Sequence, residues 1–228
     1  MNIKSRGALA GVVALSLIAI AGAVAQDGHK HGQGHGHHQR FDDPARWSKS
    51  FDDPARDKWQ KPDEVIRALA MSSDSRVADI GAGTGYFTVR LARAVPKGVV
   101  FAVDIEKKMV EHIAARARDE GLTNVRGVEG GVTSPNLPEP VDLVLMVNSY
   151  HHIDRRAAYM EALKGSLKPG GRIAIIEARP AADRGPPKHF RLSVAQIDDE
   201  MKAAGFLRAA KHDFLPRQNF LLYAQLKP

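Results

Sequence analysis

The chain contains no cysteine in 228 residues. Disulfides, thiolate metal ligands, a cysteine nucleophile and an iron–sulfur cluster are therefore excluded. Aromatic side chains are scarce at 6%. Lysine and arginine are scattered as singles and pairs, so the formal charge of +7 builds no basic stripe, and no nucleic-acid partner is expected. Long apolar runs are missing apart from one near the N-terminus, which excludes a multi-span membrane protein. What remains, 43% hydrophobic and 26% charged residues, is ordinary globular composition, enough for one domain of about 200 residues with a real core.

The one apolar run sits in residues 1–25. Lys4 and Arg6 precede an apolar centre at residues 8–20, and Ala23-Val24-Ala25 closes it. Positive start, short apolar centre and small-residue end make a secretory signal peptide, with cleavage expected after Ala25. The alternative is an uncleaved anchor helix. The domain is expected to be periplasmic or secreted, and free of the membrane once the leader is cut. Residues 26–40 are rich in glycine and histidine and are expected to form a disordered linker. Within them His29, His31, His35, His37 and His38 could collect a loosely bound divalent metal, since neutral imidazoles suit zinc, nickel and copper. A solvated linker or an added tag is the plainer reading.

Residues 41–60 carry a repeat. Phe41-Asp42-Asp43-Pro44-Ala45-Arg46 returns as Phe51-Asp52-Asp53-Pro54-Ala55-Arg56. Each copy offers Asp as a helix cap and Pro at the first helical position. Two short helical turns follow, anchored by Phe41, Trp47, Phe51 and Trp59. The segment either packs on the domain surface or forms a lid over the active site.

From residue 61 to residue 228 strands and helices alternate. Helices are expected at residues 62–71, 86–95, 107–120, 154–167 and 194–204, and strands at 77–80, 99–104, 125–129, 141–147, 172–177, 207–213 and 220–226. Lys168-Pro169-Gly170-Gly171 should turn the chain between a helix and a strand. The alternation implies an α/β fold: a Rossmann-like doubly wound seven-stranded sheet, mostly parallel, with an antiparallel C-terminal strand pair.

Val77-Ala78-Asp79-Ile80-Gly81-Ala82-Gly83-Thr84-Gly85-Tyr86 is the most informative stretch. A buried strand runs into three alternate glycines and then a helix, the context in which a glycine loop receives a ligand. Asp104 ends the next strand, where a carboxylate can accept from both ribose hydroxyls of an adenosyl group; capping the following helix is its bland alternative. A dinucleotide fingerprint would place its third glycine at 86, where Tyr86 stands. Asp79 suits a cationic ligand rather than a diphosphate.

With the DIGAGTG motif and the tail Gly205-Phe206, Phe214-Leu215-Pro216 and Phe220-Leu221-Leu222, residues 62–226 resemble the class I S-adenosylmethionine-dependent methyltransferases, and more narrowly an exported bacterial branch. The resemblance implies S-adenosylmethionine as cofactor. Asp79 and the backbone of Gly81 and Gly83, with Ala82, Gly85 and Tyr86 around them, would hold its amino acid end. Asp104 would hold the ribose and Ile105 would pack on the adenine. Thr133 or Ser134 would take the place of the acid the family often has near the adenine amine.

The fourth strand ends in Asn148-Ser149-Tyr150-His151-His152. Methyl transfer needs alignment and sometimes a base, and histidine titrates at working pH. His151 and His152 are the candidate bases. Tyr150 is a candidate for orienting an acceptor and Asn148 for lining the cofactor pocket. Glu177 and His189 are weaker candidates for substrate contact. The expected activity is methyl transfer to an unidentified small molecule, with no oligomeric state implied. Two alternatives stand beside it: an exported, non-catalytic ligand- or metal-binding protein on the same fold, and a nicotinamide-dependent oxidoreductase.

Overall fold

Apolar residues on alternate positions of the strands point to opposite faces, and the two faces are covered separately. In the computed structural model, which describes residues 41–183 and 185–226, seven strands form one sheet. They are β1 (Arg76–Ile80), β2 (Val99–Asp104), β3 (Val125–Glu129), β4 (Val141–Val147), β5 (Leu167–Ala178), β6 (Phe206–His212) and β7 (Gln218–Gln225). Their spatial order is β3-β2-β1-β4-β5-β7-β6. The first five run parallel, and β7 pairs antiparallel with both β5 and β6. The expected sheet is thus present. The antiparallel pair is not merely appended, because β7 is inserted between β5 and the edge strand β6.

The helices are α1 (Pro44–Phe51), α2 (Asp57–Gln60), α3 (Pro62–Ala68), α4 (Thr88–Ala94), α5 (Lys107–Asp119), α6 (Arg156–Gly165) and α7 (Val194–Ala203). On one face Ala78, Val144, Met146 and Ile175 join Met160 and Leu163 of α6 and Ile197 and Met201 of α7. On the other, Val77, Leu143, Leu145 and Ile176 join Val65 of α3 and Leu91 of α4. Each Val, Leu, Ile or Met side chain taken from water here contributes about 1.5–3 kcal/mol. Because β1 lies between β2 and β4, the crossovers diverge there. The C-terminal ends of β1 and β4 flank the crevice in which such sheets take their ligands.

Three local departures have physical causes. Helix α4 starts at Thr88 rather than at residue 86, because Gly85, at φ +87°, keeps the chain in a turn. Helix α6 stops at Gly165, since Leu167 is already buried and paired with Val141. The Lys168–Gly171 stretch is then an irregularity inside β5, with the register shifting between Val141 and Leu143.

The two copies of the repeat begin alike and continue differently. Asp43 accepts from the Arg46 N–H at 3.1 Å and opens α1. Asp53 accepts from the Ala55 N–H at 2.8 Å and opens only a 3₁₀ turn, Pro54–Arg56, which runs into α2. Lys61, at φ 45°, separates α2 from α3. The expected leader, cleavage site and histidine tract lie outside the described residues. Among the described residues no helix is long and apolar enough to cross a membrane.

Candidate functional site

The loop after β1 is held open by backbone geometry. Gly81, Gly83 and Gly85 all have positive φ (71°, 58° and 87°), a region closed to most side chains. The N–H groups of Gly81 and Ala82 both donate to the Val103 carbonyl, at 2.8 and 3.0 Å. A β-carbon at position 81 would run into that of Ser149, and one at position 83 would lie 3.3 Å from the Phe51 ring. The loop is thereby wedged between the end of β4 and the second copy of the repeat.

Two carboxylates flank it. Asp79 is 3% exposed and accepts from the Thr88 hydroxyl at 2.7 Å. Burial pushes its pKa up to about 6, against the opposing effect of Thr88. Asp104 accepts from the Gly83 N–H through Oδ2 at 2.8 Å and from the Glu106 N–H through Oδ1 at 3.0 Å. One carboxyl group therefore ties the glycine loop and also shapes the start of α5, and burial raises its pKa too. Ile105 beside it is 56% exposed, an unusual position for a large aliphatic side chain. The Tyr86 ring has the Arg56 and Arg90 guanidiniums 4.0 and 4.1 Å from its centroid, and its hydroxyl donates to Asp57.

At the C-terminal ends of β4 and β5, His151 and Glu177 form a buried pair, each side chain 2% exposed. Nδ1 of His151 lies 2.8 Å from Glu177 Oε2, and the His151 backbone N–H donates to Oε1 at 3.2 Å. A carboxylate oxygen only accepts, so Nδ1 carries a proton in this pair, and in the neutral imidazole the free lone pair is then on Nε2. Rings surround the pair: His152 at 4.1 Å and Phe190 at 6.1 Å from His151, and Phe41 at 5.6 Å from His152.

A methyltransferase-domain family model matches residues 77–171, which span the glycine loop, Asp104 and the His151 segment. A solved structure described as a SAM-dependent methyltransferase from Aquifex aeolicus superposes with a TM-score of 0.74 at 26% identity, over 81% of this chain and 99% of that one. The chain carries a methyltransferase domain on the fold of the class I S-adenosylmethionine-dependent methyltransferases. Among relatives, the uncharacterized methyltransferase YdaC of Bacillus subtilis is 28% identical over 62% of this chain and 77% of its own length. The trans-aconitate 2-methyltransferase of Rhodopseudomonas palustris is 27% identical over 67% of this chain and 59% of its own length.

For a methyltransferase of this class the residues present fit the cofactor. Acidic groups lie on either side of the loop, Asp79 suited to an ammonium group and Asp104 to hydroxyl donors, both buried. The family resemblance also implies Thr133 or Ser134 near the adenine amine. Ser134 is turned to its own loop, its carbonyl accepting from the Gly131 N–H at 2.8 Å and its hydroxyl from the Asn136 N–H at 3.1 Å, while Thr133 is half-buried.

Tyr150 is not at the pocket and is withdrawn as a candidate. It is fully buried in the core, and its hydroxyl donates to Glu200 Oε2 at 2.7 Å. The short 3₁₀ turn Tyr150–His152 sends three neighbouring side chains in different directions, so adjacency to the histidines did not bring it to the same place. His189 is exposed, its ring 4.2 Å from that of Phe190 and tilted by 45° to it. His152 is exposed, with Phe41 at its edge. The metal-binding tract lies outside the described residues, and among those described no group of three or more metal-ligating side chains is found.

Several site residues escape sequence reading. Ser149 anchors the end of β4 by donating to the Ile80 carbonyl at 2.7 Å. Arg116 bridges the repeat and the loop, reaching Asp52 at 2.8 Å and the Thr84 carbonyl at 3.0 Å. Gln60 and Gln218 are buried polar side chains that nothing in their local sequence distinguishes from surface glutamines.

Proposed function

We propose that this protein moves a methyl group from S-adenosylmethionine to a small-molecule acceptor, and that it works outside the cytoplasm after loss of residues 1–25. The observation that carries the reading is a glycine loop flanked by two buried carboxylates, Asp79 and Asp104, with the buried His151–Glu177 pair at the ends of the neighbouring strands β4 and β5. When bound, the cofactor supplies a methyl group on a positively charged sulfur. The chain's own residues do the rest. Asp79 receives an ammonium group, and the backbone of Gly81, Ala82, Gly83 and Gly85 lies against the ligand. Asp104, its lone pairs already aimed by two N–H donors, accepts from ribose hydroxyls, with Ile105 under the adenine. Nε2 of His151 takes the proton of the acceptor, and Glu177 holds that ring in the required tautomer. The ring cluster around the histidines excludes water, which strengthens each of these interactions. The trans-aconitate relative is named for a small-molecule acceptor, in keeping with this choice.

The test is calorimetric titration of the folded chain with S-adenosylmethionine and S-adenosylhomocysteine in the presence of chelator. Micromolar binding is expected, followed by label transfer from the methyl group in an acceptor screen. Absence of binding by a folded sample would overturn the reading in favour of an exported ligand- or metal-binding protein.

A further inference from the structure

A line of polar side chains crosses from the repeat to the end of β4. The Arg56 Nε–H donates to Gln60 Oε1. Gln60 Nε2 donates to Gln218 Oε1 at 3.0 Å, and Gln218 Nε2 donates to Asn148 Oδ1 at 2.8 Å. Gln60 and Gln218 are 0% and 1% exposed. Burying two amides next to apolar neighbours is costly unless their bonds are made, and a satisfied chain fixes its members in one arrangement.

The direction of the chain follows from chemistry rather than from the assignment of amide atoms. A guanidinium can only donate. Arg56 therefore obliges Gln60 to present its oxygen, which leaves Gln60 nitrogen for Gln218. Gln218 in turn presents oxygen to Gln60 and nitrogen to Asn148. Asn148 presents oxygen to Gln218 and keeps its own NH₂ group for something else. Its backbone is held in the left-handed region (φ 53°), and its N–H donates to the Ile176 carbonyl at 2.9 Å. The next residue, Ser149, is the one that a β-carbon at position 81 would meet, so position 148 lies at the strand end that abuts the glycine loop.

We propose that Arg56, Gln60 and Gln218 are positioning residues that lock the Asn148 side chain with its N–H donors available, so that position 148 recognises an oxygen atom of the adenosyl ligand. The second copy of the repeat then belongs to the binding site: its Arg sets the polarity of a group that it does not touch. The inference rests on the adenosyl reading of the pocket.

The experiment uses the full chain with S-adenosylhomocysteine as probe. At pH 8, Asn148→Asp replaces a donor by an acceptor of the same shape and should weaken binding about tenfold or more. The deficit relative to wild type should shrink at pH 5, as the introduced carboxyl regains a proton to donate. Gln218→Glu, unable to donate to Asn148, should lose affinity in the same direction. Arg56→Lys should stay closer to wild type than Arg56→Met, because lysine keeps a donor. Wild-type affinity in Asn148→Asp, or a loss equal at both pH values in a folded sample, overturns the proposal.

A readout without ligand separates this from failure of the pocket reading. In the ¹⁵N-labelled chain the Asn148 NH₂ signal is the pair missing in Asn148→Asp. It should move in Arg56→Met. If it does not, the relay is overturned whatever the probe does. If it moves while the wild type binds no S-adenosylhomocysteine, the adenosyl reading fails and, with it, the assigned ligand oxygen.

Discussion

The two sides of the crevice are built from different materials. The side formed by β1 and β2 is mostly backbone: three glycines at positive φ, N–H groups pointing at Val103 and Asp104, and two carboxylates at strand ends. The side formed by β4, β5 and β7 is mostly side chain: His151 on Glu177, and Gln60 on Gln218 on Asn148. On the first side most requirements are a backbone conformation or a chain end, although Asp104 reaches Gly83 across 21 residues. On the second, each group depends on a partner 26, 158 or 70 residues away. The difference teaches where strain and rigidity come from, and four measurements bear on it.

The largest effect is expected at Gly81. Alanine there meets an unfavourable φ of +71° and collides with the Ser149 β-carbon, which is itself pinned by a hydrogen bond to Ile80. A loss of about 3 kcal/mol is expected, seen as a fall in melting temperature of about 6–12 °C. Gly121 supplies the control. Its φ is +68° but no atom lies within 4 Å of the added carbon, so Gly121→Ala should cost only the backbone term of about 1 kcal/mol. Equal losses at the two positions would show that the loop is not wedged against β4.

Asp79 should show that the backbone side stores strain for a ligand. Burial raises its pKa to about 6, above the 3.8 of an aspartate in water. The native state therefore binds more protons than the unfolded state between those values, and stability falls as pH rises through that window. Asp79→Asn can keep the Thr88 hydrogen bond without the buried charge. It should be more stable than wild type at pH 8, by up to about 3 kcal/mol, with the gain fading towards pH 4 and binding of S-adenosylmethionine weakened. Urea unfolding at the two pH values reads the first part and calorimetry the second. A variant less stable than wild type at pH 8 would mean that the carboxylate is compensated by a positive charge such as Arg56.

These contrasts also explain what could be read from the chain alone. The alternation of apolar residues in strands, the glycines after β1 and Asp104 at the end of β2 are consequences of local geometry, so the sheet and the first side of the crevice were legible. Gln60 and Gln218 were not, because a glutamine carries no sign of burial and the relay exists only after β7 has been inserted next to β5. Tyr150 misled for the converse reason. Its neighbours pointed to function, but a 3₁₀ turn separates neighbouring side chains. The repeat showed its capping residues plainly. Which copy would meet the glycine loop was decided by tertiary contacts of Phe51, Asp52 and Arg56.

Asp104→Ala tests whether the two roles of that carboxyl group can be separated. Removing it deprives the Gly83 and Glu106 N–H groups of their acceptor and deprives the ligand of a hydrogen-bonding carboxylate. Adenosyl binding should weaken by about 1–3 kcal/mol. Unchanged affinity by calorimetry would remove Asp104 from the ligand contact and leave it as a helix-start and loop-fixing residue.

The smallest effect is expected where the repeat meets α5 through charge. Arg116 and Asp52 form a 2.8 Å ion pair with side chains about a quarter exposed (24% and 25%). An ion pair with this access to water contributes about 0–1 kcal/mol, and Arg116 retains Glu120 and the Thr84 carbonyl when Asp52 is altered. Asp52→Asn should therefore lower stability by less than about 1 kcal/mol. It should also leave the emission of the two tryptophans, Trp47 and Trp59, both within the repeat segment, almost unchanged. If the emission shifts while the melting temperature holds, the ion pair rather than the Phe51 contact and the amide relay keeps the repeat on the loop. Attachment by charge would make its closure depend on salt concentration; attachment by packing and buried amides would not.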